Sequence, residues 1–158
     1  MEIKYLTQLN EHPSIKTKSP DVTFTLRPSD EAEITYVEAT YNNRAPLPLA
    51  LKELLLLAGN RCYVLEYGPS YSLKKLQESV RASLVEYNKS ITIPFFAIDV
   101  YSGNEQFIFV FLNEGDDPIV RQVNLEEERP AWIRSTKRTL SDYINTLTLR
   151  LLSGRNPF

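Results

Sequence analysis

Gln106-Phe107-Ile108-Phe109-Val110-Phe111-Leu112 is the stretch on which the fold turns. In an extended chain Phe107, Phe109 and Phe111 fall on one side and Ile108, Val110 and Leu112 on the other. A strand that is apolar on both faces is central and covered twice. Upstream, Ile91-Thr92-Ile93-Pro94-Phe95-Phe96-Ala97-Ile98-Asp99 leads into it through the turn Ser102-Gly103-Asn104. Downstream, the turn Asn113-Glu114-Gly115-Asp116-Asp117-Pro118 leads into Ile119-Val120-Arg121-Gln122-Val123. Short loops of this kind join antiparallel neighbours, so the region reads as a meander.

Helical patterns flank it. Asp30 and Glu33 have the spacing of a capping box, and Ile34, Val37 and Tyr41 follow at helical intervals, which predicts a helix over 30–41. Residues 47–60 predict a second, with Pro48 in the first turn, four consecutive leucines, and Gly59 at a left-handed cap. That helix is buried. Cys62-Tyr63-Val64-Leu65-Glu66-Tyr67 is rich in strand formers and ends at the turn Gly68-Pro69. Ser72 then opens a helix with Leu73, Leu76, Val80, Leu84 and Tyr87 on one face. A last helix from Thr139 carries Leu140, Ile144, Leu147 and Leu151 on one stripe. Helices, consecutive strands and a final helix make an α+β fold, not a βαβ alternation. At the N-terminus Pro13 and Pro20 bracket a polar stretch without a firm element, and residues 22–26 alternate like a short half-buried strand, or equally form an extended arm lying on the domain. The expectation is an N-terminal extension, residues 1–27, packed on or flanking one domain of residues 28–158.

Composition narrows the chemistry. The 158 residues carry 18 Lys+Arg against 20 Asp+Glu, with 42% hydrophobic and 24% charged residues, the balance of a globular chain. One His and one Cys leave too few ligands for a zinc site, and Cys62 has no partner for a disulfide within the chain. The near-neutral balance speaks against bulk electrostatic binding to nucleic acid. With no basic-then-apolar leader and no apolar run near the ~18 residues of a membrane span, the expectation is a cytoplasmic protein without membrane contact.

No catalytic constellation emerges. His12 lies beside Pro13 without a nucleophile or an orienting partner and reads as a solvated residue. Cys62 reads as an inert buried thiol. Gly68-Pro69-Ser70-Tyr71-Ser72 lacks the second glycine of a nucleophile elbow and reads as a turn whose Ser72 caps a helix. Five glycines in no phosphate-cradle pattern offer a nucleotide nothing, and no cofactor is expected. Glu114, Asp116 and Asp117 do not follow the calcium-loop pattern and suit a solvated turn. With Glu126, Glu127 and Glu128 they are nonetheless the candidates for an acidic patch that docks a basic partner. Lys74, Lys75, Arg81 and Lys89, and separately Arg129, Arg134, Lys137 and Arg138, lack the interleaved aromatics of a nucleic-acid platform. Trp132 is read as core closure, with an interface anchor as the second reading. The terminal Asn156-Pro157-Phe158 matches a short adaptor-domain ligand and is treated as chance.

The order of these motifs resembles the SUKH superfamily, which includes the Smi/Knr cell-wall-assembly regulators. Leu47-Pro48 opening a Leu-rich helix that ends at Gly59-Asn60 looks like the start of its signature. Phe95-Phe96-Ala97-Ile98-Asp99, then Gly115-Asp116-Asp117-Pro118-Ile119-Val120, then Leu140-Ser141-Asp142-Tyr143-Ile144 are similar to its later strand, turn and final helix. The likeness spans about residues 28–150. It implies an α+β fold with a curved, mainly antiparallel sheet packed with helices, and no enzymatic activity. Bacterial members are immunity proteins that neutralise polymorphic toxins, some of them nucleases, and fungal members are regulatory adaptors for cell-wall or glucan synthesis signalling. The partner it implies is a cognate toxin protein. The expected contact residues are Glu114, Asp116, Asp117, Glu126, Glu127, Glu128 and Trp132, with no catalytic, cofactor or metal residues.

Overall fold

The computed structural model describes residues 1–18, 21–67, 72–128 and 130–155. The expected turn at Gly68-Pro69, most of the elbow-like stretch, Arg129 and the terminal Asn156-Pro157-Phe158 lie outside them. In chain order the elements are α1 (Thr7–Glu11), β1 (Ser14–Lys18), β2 (Asp21–Thr25), α2 (Glu31–Tyr41), α3 (Leu49–Ala58), α4 (Leu73–Glu86), β3 (Phe95–Tyr101), β4 (Gln106–Phe111), β5 (Ile119–Asn124), β6 (Ile133–Thr139) and α5 (Leu140–Leu152). The fold is α+β. β1 and β2 form a hairpin, and β3-β4-β5-β6 form an open antiparallel sheet in sequence order.

The meander follows from the pattern of β4. Phe107, Ile108, Phe109 and Val110 are all buried, so both faces of that strand are covered. Phe107, Phe109 and Phe111 line up with Phe95 of β3, with neighbouring ring centroids 5.1 to 6.5 Å apart. β3 and β4 pair Phe96 with Val110, and β4 and β5 pair Phe109 with Arg121. The link between β3 and β4 is a single 3-10 turn, Ser102–Asn104, with positive φ at Ser102, Gly103 and Asn104. α4 lies along β3, and α5 touches α1, α3, β5 and β6.

Helix starts follow their caps. The Asp30 carboxylate accepts from Glu33 N, and Glu33 returns a bond to Asp30 N, completing the capping box of α2. Ser72 caps α4 and Thr139 caps α5. Pro48 sits one position earlier than expected, as the N-cap of α3.

Several expectations need correction. Residues 62–67 form no strand; they run as a buried turn and loop beside β3. Gly59 is not left-handed: its φ and ψ are −61° and −27°. Its glycine is required by contact, since a Cβ there would lie 2.2 Å from Ser29 Oγ. Residues 91–94 precede β3 instead of belonging to it. β2 is mostly exposed, not half-buried, because its partner β1 covers its edge and nothing covers most of its side chains. The stretch after Pro13, read as having no firm element, is strand β1, since pairing with β2 supplies the order its own pattern lacks; α1 and β6 match no expected element. The sequence of β6 is Ile133-Arg134-Ser135-Thr136-Lys137-Arg138-Thr139, polar because it is the outer edge of the sheet.

The first residues are tied into the core. Leu6 and Leu9 are fully buried. The buried Glu53 carboxylate on α3 accepts the main-chain N–H groups of Lys4, Tyr5 and Leu6 at 2.7, 2.8 and 2.9 Å. From α5, Asn145 Nδ2 donates to Tyr5 O at 2.8 Å, and its Oδ1 accepts from Gln8 N.

Candidate functional site

The two acidic groups do not meet. Glu114, Asp116 and Asp117 lie before β5 and Glu126, Glu127 and Glu128 after it. A six-residue strand at ~3.3 Å per residue separates them by about 20 Å. The two groups therefore sit at opposite ends of β5. Several of the carboxylates are also engaged internally. Glu114 takes a two-pronged bond from Arg121 at 2.6 and 2.7 Å, and that guanidinium stacks on Phe111 at 4.5 Å. Asp117 accepts from Ser141 N at 2.9 Å and Ser141 Oγ at 2.6 Å, which seats its charge at the positive end of α5. Glu127 pairs with Arg134 at 2.8 Å. Asp116, Glu126 and Glu128 are exposed.

Trp132 is buried, 6% exposed, so its ring offers no exposed anchor to a partner. The Lys89 ammonium lies 5.4 Å from its centroid and donates to the main-chain oxygens of Leu125 and Glu127. Arg81 is likewise structural. It sits 4.2 Å from both the Tyr41 and Phe95 rings, donates to Phe95 O at 2.9 Å, and burial pushes its pKa down. His12 is half-buried at the C-cap of α1, with Nδ1 2.9 Å from Gln8 O, and is not the solvated residue expected.

Two polar groups that the sequence reading passed over occupy the core. Gln77 of α4 donates from Nε2 to Ala97 O and accepts at Oε1 from Ala97 N, at 2.7 and 2.8 Å. Its amide thus stands in for a neighbouring strand on the outer side of β3. Asp99, fully buried on β3, accepts at Oδ1 from Glu66 N (2.7 Å) and Val100 N (2.9 Å), and at Oδ2 from the Tyr101 hydroxyl (2.7 Å). Burial pushes this carboxyl up to about 7, outweighing the three donors that favour its charge. Burial also pushes the Cys62 thiol up to about 12, which leaves it protonated and unreactive at neutral pH. The signal for Asp99 is present in the sequence: one carboxylate inside an otherwise apolar strand, Phe96-Ala97-Ile98-Asp99-Val100.

The surface offers a different concentration of charge. Residues 28–43 contain Asp30, Glu31, Glu33 and Glu38 and no Lys or Arg. α2, which occupies most of that stretch, forms one wall of a groove of about 330 Å³ against α3. Ile34 and Leu56 supply its apolar floor, and Glu31, Glu38 and Lys52 its charged sides. Glu38 Oε1 accepts from Leu47 N at 3.2 Å, which fixes that carboxylate beside the groove. A second cleft, about 390 Å³, brings Arg27, Lys74 and Lys75 together with Glu33 and Glu78 and is mixed in charge. Among the described residues no group of three or more His, Cys, Asp or Glu is placed to hold a metal ion. Among the same residues no helix is long and apolar enough to cross a membrane.

No protein-family model matches the chain, and no curated protein or solved structure matches it either.

Proposed function

We propose that this chain is a non-enzymatic protein-binding domain of the SUKH kind, acting as an immunity protein that occludes a cognate toxin. The observation that carries the reading is the α2–α3 groove, with an apolar floor, the carboxylates of Glu31 and Glu38 on its α2 wall and Lys52 on its α3 wall. Toxins that cleave nucleic acid present basic surfaces, and a basic segment carrying one or two apolar side chains complements the acidic α2 wall in charge and the floor in shape. We place the contact at the groove because its carboxylates flank the apolar side chains of Ile34 and Leu56. The non-enzymatic part of the reading is supported by Cys62 and Asp99, which are enclosed where no substrate reaches them.

Co-expression with the product of the adjacent gene tests the proposal. The expected result is rescue of the host from a toxic neighbour and co-purification of the pair. Glu31→Arg with Thr35→Arg should weaken that complex by about tenfold or more, a change of ~1.4 kcal/mol. Glu126→Arg with Glu128→Arg should leave it nearly unchanged. A neighbour that is neither toxic nor bound overturns immunity and favours a regulatory adaptor.

A further inference from the structure

Asp99 is a buried acid that joins two parts of the chain. Its Oδ1 holds the Glu66 N–H, and the Val100 N–H beside it donates to Glu66 O at 3.1 Å. Segment 62–67 is therefore fastened to β3 at a single residue by both of that residue's main-chain groups. From the same segment the Tyr67 hydroxyl donates to Ala58 O at 2.7 Å, at the last residue of α3. What holds Glu66 also steadies the end of α3.

A line of hydroxyl groups leads outward from the other oxygen. Asp99 Oδ2 accepts from the Tyr101 hydroxyl, the Tyr143 side chain of α5 lies beside that hydroxyl, and both tyrosines are partly exposed. The titratable groups facing Asp99 are Cys62, Glu66 and Tyr67 from the segment, Tyr101 from β3 itself and Tyr143 from α5. None of these is a cation, and Glu66 is a like charge. An ionised Asp99 is thus held in the core by hydrogen bonds alone, against the cost of its lost hydration.

We propose that Asp99, Tyr101 and Tyr143 form a proton-operated latch, in which the neutral carboxyl keeps segment 62–67 closed on β3 and its ionisation favours opening. In the closed neutral state the Oδ2 proton is donated to Tyr101, and Tyr101 donates to Tyr143. On ionisation that proton passes to Tyr101, the Tyr101 proton passes to Tyr143, and the Tyr143 proton passes to water. Both hydrogen bonds are left reversed, with Tyr143 donating to Tyr101 and Tyr101 to Oδ2. The charge left on Asp99 is better hydrated when segment 62–67 lifts and admits water. Protonation thereby bears on α3, which forms a wall of the groove, whatever partner the groove takes.

Hydrogen exchange of the full chain across a pH series, corrected for the intrinsic rate, tests the latch. The opening constant of the Glu66 amide should rise about tenfold per pH unit through the range just below 7 and level off above it, because the open state carries an ordinary carboxyl. Asp99→Asn, which mimics the neutral group, should make that constant independent of pH. Tyr143→Phe removes the acceptor that lets Tyr101 turn away from Asp99. Tyr101 then donates to Oδ2 at all times, and the levelling-off should move to lower pH. If Asp99→Asn fails to fold, the wild-type slope and the Tyr143→Phe shift decide the matter. A Glu66 opening constant flat with pH in the wild type overturns the proposal. So does a Glu66 amide that opens no more often than the slowest-exchanging amides of the chain, which report global unfolding, or a Tyr143→Phe profile identical to wild type.

Discussion

At Asp99 a carboxyl group gives up its hydration without gaining a cation, and the consequence for stability has a definite sign. Its pKa is pushed up from 3.8 to about 7, so the folded chain holds this proton more tightly than the unfolded chain. The stabilising contribution of the neutral group is complete below about pH 4 and is lost as pH rises through about 7. Between those limits stability should fall by ~1.4 kcal/mol per pH unit, on the order of 4 kcal/mol in all. Urea unfolding at several pH values measures this. Asp99→Asn should match the wild type near pH 4 and exceed it above pH 7, and equal slopes in the two proteins would refute the assignment. Gly59 makes a second prediction at this scale. A Cβ there meets Ser29 Oγ at 2.2 Å and Leu55 O at 2.9 Å, so Gly59→Ala should destabilise by about 1–3 kcal/mol. Adding Ser29→Gly should recover part of the loss, whereas a purely conformational effect of alanine would be untouched by the second change. The sequence located this glycine at the end of its helix, but assigned it the wrong task. Left-handed geometry is a local property that residue type suggests; an approach between residues 29 and 59 is not.

Among elements, the two edges of the sheet are protected in different ways. β3 is covered by the Gln77 amide and by segment 62–67, and β6 by charge and irregularity. Gln77→Leu would leave Ala97 N and O buried without partners, and should cost about 2–3 kcal/mol in unfolding free energy. Gln77→Glu tests the donor half of the pair separately. On β6, Arg134, Lys137 and Arg138 are interspersed with Ser135, Thr136 and Thr139, and Lys137 has a φ of 61° at a break in the register with β5. Such bulges and cations deter pairing with another chain. Lys137→Gly relieves the left-handed backbone and should raise stability by about 1 kcal/mol. The same substitution removes a guarding charge, so self-association by light scattering should increase. β6 escaped sequence reading for the reason that makes it an edge. An element with little apolar face shows no period in its hydrophobic residues, while β4, buried on both faces, announces itself.

Across the whole molecule, the N-terminal residues and the last helix close the fold on each other. Glu53 gathers three successive N–H groups near α1, and Asn145 reaches the same segment from α5. Removing the Glu53 carboxylate as Glu53→Ala should cost on the order of 3 kcal/mol and speed exchange at Lys4, Tyr5 and Leu6 before the rest of the chain. The positions of α2 to α5, the β3-β4-β5 meander and the α+β class were legible in the residues themselves. Capping, turn chemistry and hydrophobic period act over a few neighbours, and a chain carries that information wherever it lies. The candidate surface was legible only in part. The carboxylates of residues 30–38 stood in plain view but read as a helix start, and the two acidic runs that drew attention are held apart by the length of β5. The modest net charge of −2 concealed both facts, because a sum over the chain carries no distances. Which acids face solvent, which cap a helix, and which sit neutral in the core depend on partners tens of residues away. Those pairings exist only once burial has set the dielectric and the neighbours of each group, so they belong to the folded molecule.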